Sequence, residues 1–433
     1  MIVDTLIHAG WIIPVEPPFD TLRHHSLAIN NGRIVDILPT ELAKQRYLGR
    51  RLETLEHHVL LPGLINSHTH AAMTLMRGVA DDLPLMEWLQ NHIWPLEQRW
   101  MNAEFVKDGS DLAIAEMLRG GTTCFNDMYF FPEITARQAQ RHGIRASVGL
   151  IVIDFPTVWA ANSDEYLAKG QALREQLRDS TLCSTLLAPH APYTVSDAPL
   201  QKIQQLQQRV HIHVHETAQE IEQAVAQSGK RPLQRLQELG LVNNLLIAVH
   251  ATQLIDEEIV LLAKAGAHIV HCPESNLKLA SGFCPVAQCL EAGINVALGT
   301  DGAASNNDLD MFGEMRTAAL LAKAVANDVS AVSAMTALRM ATINGAKALG
   351  LENVCGSLRI GKAADVIAID LGQLETQPLY DPVSQIVYAA SRQQVTDVWV
   401  AGKRLLQNRE LTTFDLAELH NRIAVWQQRL AEK

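Results

Sequence analysis

The chain has 433 residues, of which 48% are apolar and 19% charged, and its formal net charge is -11. This length is enough for a barrel and a second, smaller unit, and the acidic balance argues against a nucleic-acid surface, which needs clustered Lys and Arg. The six cysteines form no C-x-x-C pair, which favours a reducing compartment. We find no signal peptide and no bilayer-spanning apolar run, so we expect a cytoplasmic protein without membrane contact.

The two ends of the chain carry β-like runs. Residues 1–60 contain DTLIHAGWIIPV and HSLAINNGRIVDIL, and residues 355–433 contain ADVIAID and VTDVWVAGKRLL, all separated by Gly, Asn and Asp turns. We expect these flanks to pair as one small composite β-sandwich domain. The final stretch, DLAELHNRIAVWQQRLAEK, has helical period and is predicted to pack on the outside.

Residues 61–354 alternate short apolar runs with amphipathic stretches of helical period. The eight runs are LPGLINSHTH, GTTCFNDM, RASVGLIVID, TLLAPHAPY, VHIHVHET, NLLIAVHA, AHIVHCPES and INVALGTDG. Several intervening stretches, such as EITARQAQRHG and DEEIVLLAKAG, stop at a glycine, as a left-handed C-cap requires. Eight strands with helical crossovers predict a catalytic (β/α)8 barrel in the α/β class.

Polar side chains stand at the ends of several runs. His68 and His70 are two residues apart, so both lie on the same side of a strand. Alone, His250 would more often be a core histidine, and Asp301 could be an ordinary turn aspartate. Barrel enzymes, however, collect catalytic groups from several strand ends, and catalytic zinc needs three or four N/O ligands. The convergence of these histidines and of Asp301 at the strand ends therefore predicts a metal site that activates water.

The fifth run, VHIHVHET, is ambiguous. His211, His213 and His215 share strand parity, and parity does not choose among them. We interpret His211 as a structural imidazole, whereas His215 is as open to a structural role as to a functional one. Glu216 comes immediately after His215 in this run and is the carboxylate placed to move protons beside the metal.

Four segments resemble the amidohydrolase superfamily: PGLINSHTHAAMTLMRG, the H-x-x-E of His213 to Glu216, HCPESNLKLASG and LGTDGAASNNDLDMF. Over about residues 60–370 the chain is most similar to the 5-methylthioadenosine/S-adenosylhomocysteine deaminases. The resemblance implies one Zn²⁺ per subunit, or Fe²⁺ or another divalent ion, held by His68, His70, His213 and Asp301. Members with two metals carry a carboxylated lysine on a middle strand, and the fourth run, TLLAPHAPY, has no lysine.

The resemblance also implies a reaction, the hydrolytic deamination of adenine nucleosides to inosine analogues and ammonia. Glu216 is expected to move a proton from the metal-bound water to a ring nitrogen. His250 is expected to orient that water, and Asp301 to accept a proton as well as to bind the metal.

Three further residues are candidates for substrate binding. Glu97 in WPLEQRW resembles the family's ribose-diol acceptor, and His190 in APHAPYTVS resembles its nucleoside-contacting histidine. Trp88 is a candidate to stack on the purine. Alternatively, Glu97 is an ordinary exposed helix glutamate, His190 is a loop histidine and Trp88 is a core residue. Some relatives use arginines to hold the ribose or an amino-acid tail, and RASVGLIVID offers only Arg145.

The main alternative function is another hydrolysis on the same scaffold, acting on guanine, another purine or an s-triazine. The metal ligands do not distinguish these reactions, but Glu97 favours a nucleoside because a free base or a triazine has no diol. A non-catalytic scaffold protein would have lost ligands or Glu216. The expected partners are a small nucleoside and further copies of the chain.

Overall fold

The computed structural model describes residues 1–17 and 19–431, and its strands form two sheets. The strands, numbered in chain order, are β1 (Ile2–Ile12), β2 (Leu22–Asn30), β3 (Arg33–Pro39), β4 (Leu48–Pro62), β5 (Leu64–Thr69), β6 (Thr122–Asp127), β7 (Arg145–Val152), β8 (Cys183–Pro189), β9 (Val210–Val214), β10 (Leu246–His250), β11 (His268–His271), β12 (Asn295–Leu298), β13 (Val366–Asp370), β14 (Val395–Val400), β15 (Lys403–Gln407) and β16 (Glu410–Leu411).

The first and last strands form one mixed sheet in the order β16-β15-β14-β13-β4-β1-β2-β3. Strand β4 joins its halves because it pairs parallel with β1 and antiparallel with β13. Ile7 and Leu27 from the first half and Val366 and Trp399 from the second share one apolar cluster. The predicted association of the two flanks is therefore confirmed, whereas the domain limits at residues 60 and 355 stay a prediction.

Strands β5 to β12 lie side by side in chain order and are parallel. The ring closes between its first strand and the segment after its last, where Thr300 N donates to Asn66 Oδ1 at 3.0 Å and Asp301 N donates to His68 O at 3.0 Å. Most strand residues are buried on both faces, as expected where helices cover a parallel sheet. The eight runs and the (β/α)8 barrel are confirmed.

The helices are also numbered in chain order. They are α1 (Thr40–Arg46), α2 (Leu85–Trp88), α3 (Trp94–Trp100), α4 (Ala103–Arg119), α5 (Pro132–His142), α6 (Ser163–Gln176), α7 (Asp197–Gln205), α8 (Ala218–Ser228), α9 (Pro232–Glu238), α10 (Asp256–Ala265), α11 (Pro273–Lys278), α12 (Val286–Glu291), α13 (Met311–Ala326), α14 (Ala334–Met340), α15 (Ile343–Leu349), α16 (Pro382–Tyr388) and α17 (Leu416–Ala431). Helix α5 ends at Gly143, whose φ of 83° is the left-handed conformation that glycine adopts without strain.

The C-terminal helix α17 packs against α4. Trp426 is buried and donates its indole N–H to Asp108 Oδ2 at 2.9 Å, and Arg422 pairs with Asp111 at 3.0 Å. The helix predicted at the C-terminus therefore contacts the barrel. Within residues 1–17 and 19–431, no helix combines the length and apolar character that crossing a membrane requires.

The connection between β5 and β6 is long and holds several helical pieces. A 3-10 helix (Ala71–Met76), α2, a π-helical turn (Leu89–Ile93) and α3 precede α4, which is the crossover helix. The segment from α2 to α3 reaches over the carboxyl end of the barrel and supplies one wall of the cavity described below.

Candidate metal centre and substrate cavity

Three barrel strands bring four metal-binding side chains together. His68 lies in β5, His70 directly follows it, His213 lies in β9, and Asp301 follows β12. One ligand atom from each lies within 4.8 Å of the others. The Nε2 atoms of His68 and His70 are each 3.1 Å from Asp301 Oδ1, and His213 Nε2 is 3.2 Å from His68 Nε2. The structure therefore gathers the four predicted ligands at one point.

Backbone carbonyls fix the orientation of two of the imidazoles. His70 Nδ1 lies 2.5 Å from Met128 O, and His213 Nδ1 lies 2.7 Å from His190 O. A carbonyl only accepts, so each Nδ1 carries a proton and each Nε2 is the ring nitrogen left to bind a metal.

His68 is held by another histidine. Its Nδ1 lies 3.0 Å from Nε2 of His211, and the amide of Asn126 lies 3.3 Å from the His211 ring. Burial lowers the pKa of His211 well below its usual value, so His211 is neutral and its Nε2 can accept the proton of His68 Nδ1. His211 therefore contacts a ligand histidine directly, in addition to filling the barrel interior.

Asp301 is held on both sides. Its Oδ2 accepts hydrogen bonds from Ser275 Oγ at 2.7 Å and from Ser305 Oγ at 2.8 Å, while Oδ1 faces the histidines. Burial raises the pKa of Asp301, but the hydrogen bonds from His68 and His70 outweigh it and hold the pKa well below its usual range. Burial lowers the pKa of His70, yet its contacts with Asp301 raise it to about 9. The carboxylate is thus ionised, as a metal ligand must be.

This donor set fits a divalent cation. Three imidazole nitrogens and one carboxylate oxygen, converging in a buried place, are the ligands that Zn²⁺ and Fe²⁺ take in catalytic sites. A divalent ion would replace the proton shared between His70 and Asp301, so metal binding competes with protons. The centre is therefore suited to a divalent metal.

Two proton-handling groups stand beside this centre. Glu216 lies at a buried position two residues after the end of β9, and its Oε2 lies 3.8 Å from Nε2 of His250. Burial raises the pKa of Glu216. His250 Nδ1 lies 2.9 Å from Asn276 Oδ1, which accepts its proton and leaves Nε2 as the free lone pair.

The backbone is left-handed at three residues that lie at or just after the ends of barrel strands. His215, His250 and Asp301 have φ values of 57°, 72° and 61°. A non-glycine residue there costs about 1 to 3 kcal/mol, and such strain is concentrated at functional sites. At His215 the turn breaks the strand parity, so its Nε2 accepts from Leu233 N at 3.2 Å and its Nδ1 faces Glu258 at 3.4 Å. This imidazole points away from the metal ligands.

A cavity of about 600 Å³ opens over the metal centre. His70, His213, Glu216, His250 and Asp301 lie at its metal end. The rest of the lining is mainly apolar. It includes Leu85, Trp88, Leu89, Ile93, Trp94 and Met101 from the β5–β6 connection, Tyr129 and Phe130 after β6, Ile151, Ile153, Phe155, Pro156 and Val158 from the end of β7 and the loop after it, and Tyr193 after β8. The cavity therefore has a polar end and an apolar wall.

The structure places all three predicted substrate residues in this lining. Glu97 accepts a hydrogen bond from Tyr129 OH at 2.6 Å, and burial raises its pKa to about 7. His190 Nδ1 bonds with Thr194 Oγ1 at 3.0 Å. Trp88 donates its indole N–H to Ala80 O at 3.1 Å.

Sequence reasoning missed several parts of the site. Ser275 and Ser305 stand inside motifs that we quoted, so their position next to a predicted ligand was available as an indication. Tyr193 ends the quoted run TLLAPHAPY, although no role was assigned to it, whereas Phe155 lies in a loop without a motif and nothing in the sequence pointed to it. His211 was interpreted as structural, and its contact with His68 depends on the pairing of distant strands.

The comparisons with known proteins agree with this geometry. The model of the amidohydrolase family matches residues 59–405. A 5-methylthioadenosine/S-adenosylhomocysteine deaminase from Teredinibacter turnerae is 52% identical over 435 residues, which cover 100% of this chain and 98% of that protein. A zinc-bound adenosine deaminase from Xanthomonas campestris has a TM-score of 0.98 and 55% identity, covering 99% of both chains.

More distant structures share the fold. An atrazine chlorohydrolase from Arthrobacter aurescens superposes with a TM-score of 0.90 at 23% identity, covering 98% of this chain and 100% of that one. A likeness at this identity concerns the architecture alone. With the family model matched over most of its length and a close relative aligned from end to end, the chain belongs to the amidohydrolase family.

Proposed function

We propose that the protein is a metal-dependent deaminase of adenine nucleosides, which converts 5-methylthioadenosine or S-adenosylhomocysteine to the inosine analogue and ammonia. The observation that carries the proposal is the arrangement of Glu216 and His250 beside four convergent metal ligands, at the polar end of a cavity whose wall holds Glu97. The names of the similar proteins support the same activity.

His68, His70, His213 and Asp301 would hold one Zn²⁺, or another divalent ion. When bound, the cation would acidify a water molecule to a pKa near 7 and so supply a hydroxide nucleophile. The carbonyls of Met128 and His190 and the ring of His211 keep the three imidazoles in the required tautomer.

Glu216 and Asp301 would move the protons, and His250 would orient the water. Glu216 takes a proton from the attacking water and delivers it to a ring nitrogen, and burial raises its pKa, which suits a group that both accepts and releases a proton. His250 presents its free Nε2 to that water. Asp301 accepts the second proton of the water and passes it to the amine, which leaves as ammonia when the C–N bond breaks, and the oxygen of the water becomes the carbonyl oxygen of the inosine analogue.

The cavity wall favours a nucleoside over a free base. In the proposed role, Glu97 accepts hydrogen bonds from the two vicinal hydroxyls of ribose, and Tyr129 OH holds the carboxylate in place at 2.6 Å. His190 would contact the nucleoside, and Trp88 would stack on the purine. A triazine or guanine has no vicinal hydroxyls to donate to Glu97, so neither would gain the hydrogen bonds that a ribose makes there.

We also propose that the metal is a single zinc ion and that the protein is cytoplasmic. All six cysteines are free thiols, which agrees with a reducing compartment. The expected homo-oligomer stays a prediction.

A screen for ammonia release tests the function. The purified protein, with its zinc content measured, would be offered methylthioadenosine, S-adenosylhomocysteine, adenosine, guanine and an aminotriazine. We expect one bound metal per chain and turnover of an adenine nucleoside. Turnover of guanine or of the triazine without any nucleoside would contradict the proposal, and two metals per chain would contradict the mononuclear centre.

A further inference from the structure

The cavity contains an imbalance of charge. Among the described residues that line it there is no lysine and no arginine, while Glu97, Glu216 and Asp301 contribute three carboxyl groups. In the proposed function Asp301 binds the metal and Glu216 transfers a proton. The lining therefore offers a substrate carboxylate no cationic side chain to pair with.

Two cationic side chains near the lining, Arg235 and Lys278, already form ion pairs with other residues. Arg235 reaches the loop after β8, where it pairs with Asp197 at 2.7 Å and donates to Pro192 O at 2.6 Å. Lys278 stands next to the lining residue Leu279 and pairs with Asp81 at 2.5 Å. Recruiting either of them would break an existing ion pair.

An apolar surface stands next to Glu97. Trp94 precedes Glu97 by three residues in α3, so both occupy the same face of the helix, and both line the cavity. The Trp94 ring lies 6.3 Å from the ring of Phe155, measured between centroids. Phe155 is 43% exposed and Val158 is 63% exposed, so these residues form the mouth of the cavity.

The position of the ribose indicates which part of the substrate contacts this apolar surface. If Glu97 binds the 2′- and 3′-hydroxyls and the purine faces the metal, the 5′-carbon is attached at C4′, across the ring oxygen from the C1′ that carries the purine, so a 5′-substituent extends from the end of the ribose nearer the mouth of the cavity. A substituent on that carbon then meets Trp94, Phe155 and Val158. A methylthio group is neutral and apolar, whereas the homocysteine tail ends in an ammonium and a carboxylate.

We propose that the cavity selects adenine nucleosides with an uncharged, apolar 5′-thioether, methylthioadenosine foremost, over those with a zwitterionic tail, and that Trp94, Phe155 and Val158 form the selecting surface. This rests on the proposed function. A desolvated carboxylate without a partner is costly, so kcat/KM for S-adenosylhomocysteine should be lower than for methylthioadenosine by about tenfold or more.

A matched pair of substrates separates charge from length. The 5′-butylthio and 5′-(3-carboxypropylthio) derivatives of adenosine have tails of similar size, and only the second is charged. We expect the butylthio compound to be turned over with a kcat/KM near that of methylthioadenosine and the carboxylated one to be poor by about tenfold or more. Equal values for the two would overturn the inference while leaving the deaminase proposal intact. Poor turnover of both would also overturn it, because length would then be the limit.

A substitution at the mouth of the cavity tests whether the lack of a cationic side chain limits the turnover of carboxylated substrates. Val158→Arg puts a guanidinium at an exposed position, and Val158→Gln is the neutral control of similar reach. The arginine variant should raise kcat/KM for the carboxylated substrate severalfold relative to methylthioadenosine, and the glutamine variant should not. The same gain in both variants, or in neither, would contradict the inference. Absence of turnover of every nucleoside would instead remove the proposed function, and this inference with it.

Discussion

The metal end of the cavity and its apolar wall are built in different ways. The ligand side chains stand on barrel strands or within three residues of their ends, and each is oriented by a hydrogen bond, such as that from Ser275 to Asp301 at 2.7 Å. The wall comes from the long β5–β6 connection and from loops, and its contacts are mostly apolar. The comparison indicates that the barrel sets the chemistry while the connections set the substrate.

The largest effect is expected at the metal end. Glu216→Gln keeps the shape of the side chain but cannot carry a proton, so kcat should fall about 10²- to 10⁴-fold while the metal content stays unchanged. Glu222→Gln, an exposed change in α8, is the control. A Glu216→Gln enzyme with near wild-type turnover would show that another group moves the proton.

The next effect concerns the support of His68. His211→Leu removes the acceptor for His68 Nδ1, whereas His211→Gln keeps an oxygen near the same place. Chelator competition should show zinc affinity lowered about 10- to 100-fold in the leucine variant and less in the glutamine variant. If both variants lose affinity equally, His211 acts through packing and not through this hydrogen bond.

A smaller effect is expected from a substitution in the wall of the cavity. Glu97→Gln weakens the hydrogen bonds from the ribose hydroxyls, so KM for the nucleoside should rise about tenfold, with kcat changed less. Binding of free adenine, measured as inhibition, should stay the same because adenine has no diol. Glu87→Gln, exposed in α2, is the matched control. An equal loss for nucleoside and free adenine would argue against a ribose contact.

The smallest effect is the pH dependence that Glu97 adds. Burial raises its pKa to about 7, so its carboxylate is ionised above that pH and protonated below it. Only the ionised form accepts from both hydroxyls, and kcat/KM should therefore fall severalfold from about pH 8 to about pH 6. Because Glu97→Gln lacks this group, its pH profile should be flatter over the same range. Identical profiles would assign the titration to another group.

Much of the barrel was predictable from local pattern. Parallel strands buried on both faces are continuous apolar runs, so all eight were visible, and H-x-H parity placed His68 and His70 on one side of β5. Asp301 was a candidate because it follows a run. The exclusion of His215 was not predictable, because a left-handed residue after β9 breaks the parity on which the reasoning depended.

The sequence by itself therefore determined the barrel, the paired flanks and the residues at the strand ends, because these follow from hydrophobic period and from chain order. Only the tertiary structure decided which partner orients each imidazole, how His211 meets His68, and that Trp94 and Phe155 share one wall. Those contacts join residues far apart in the chain, and their distances depend on how strands and loops pack in space.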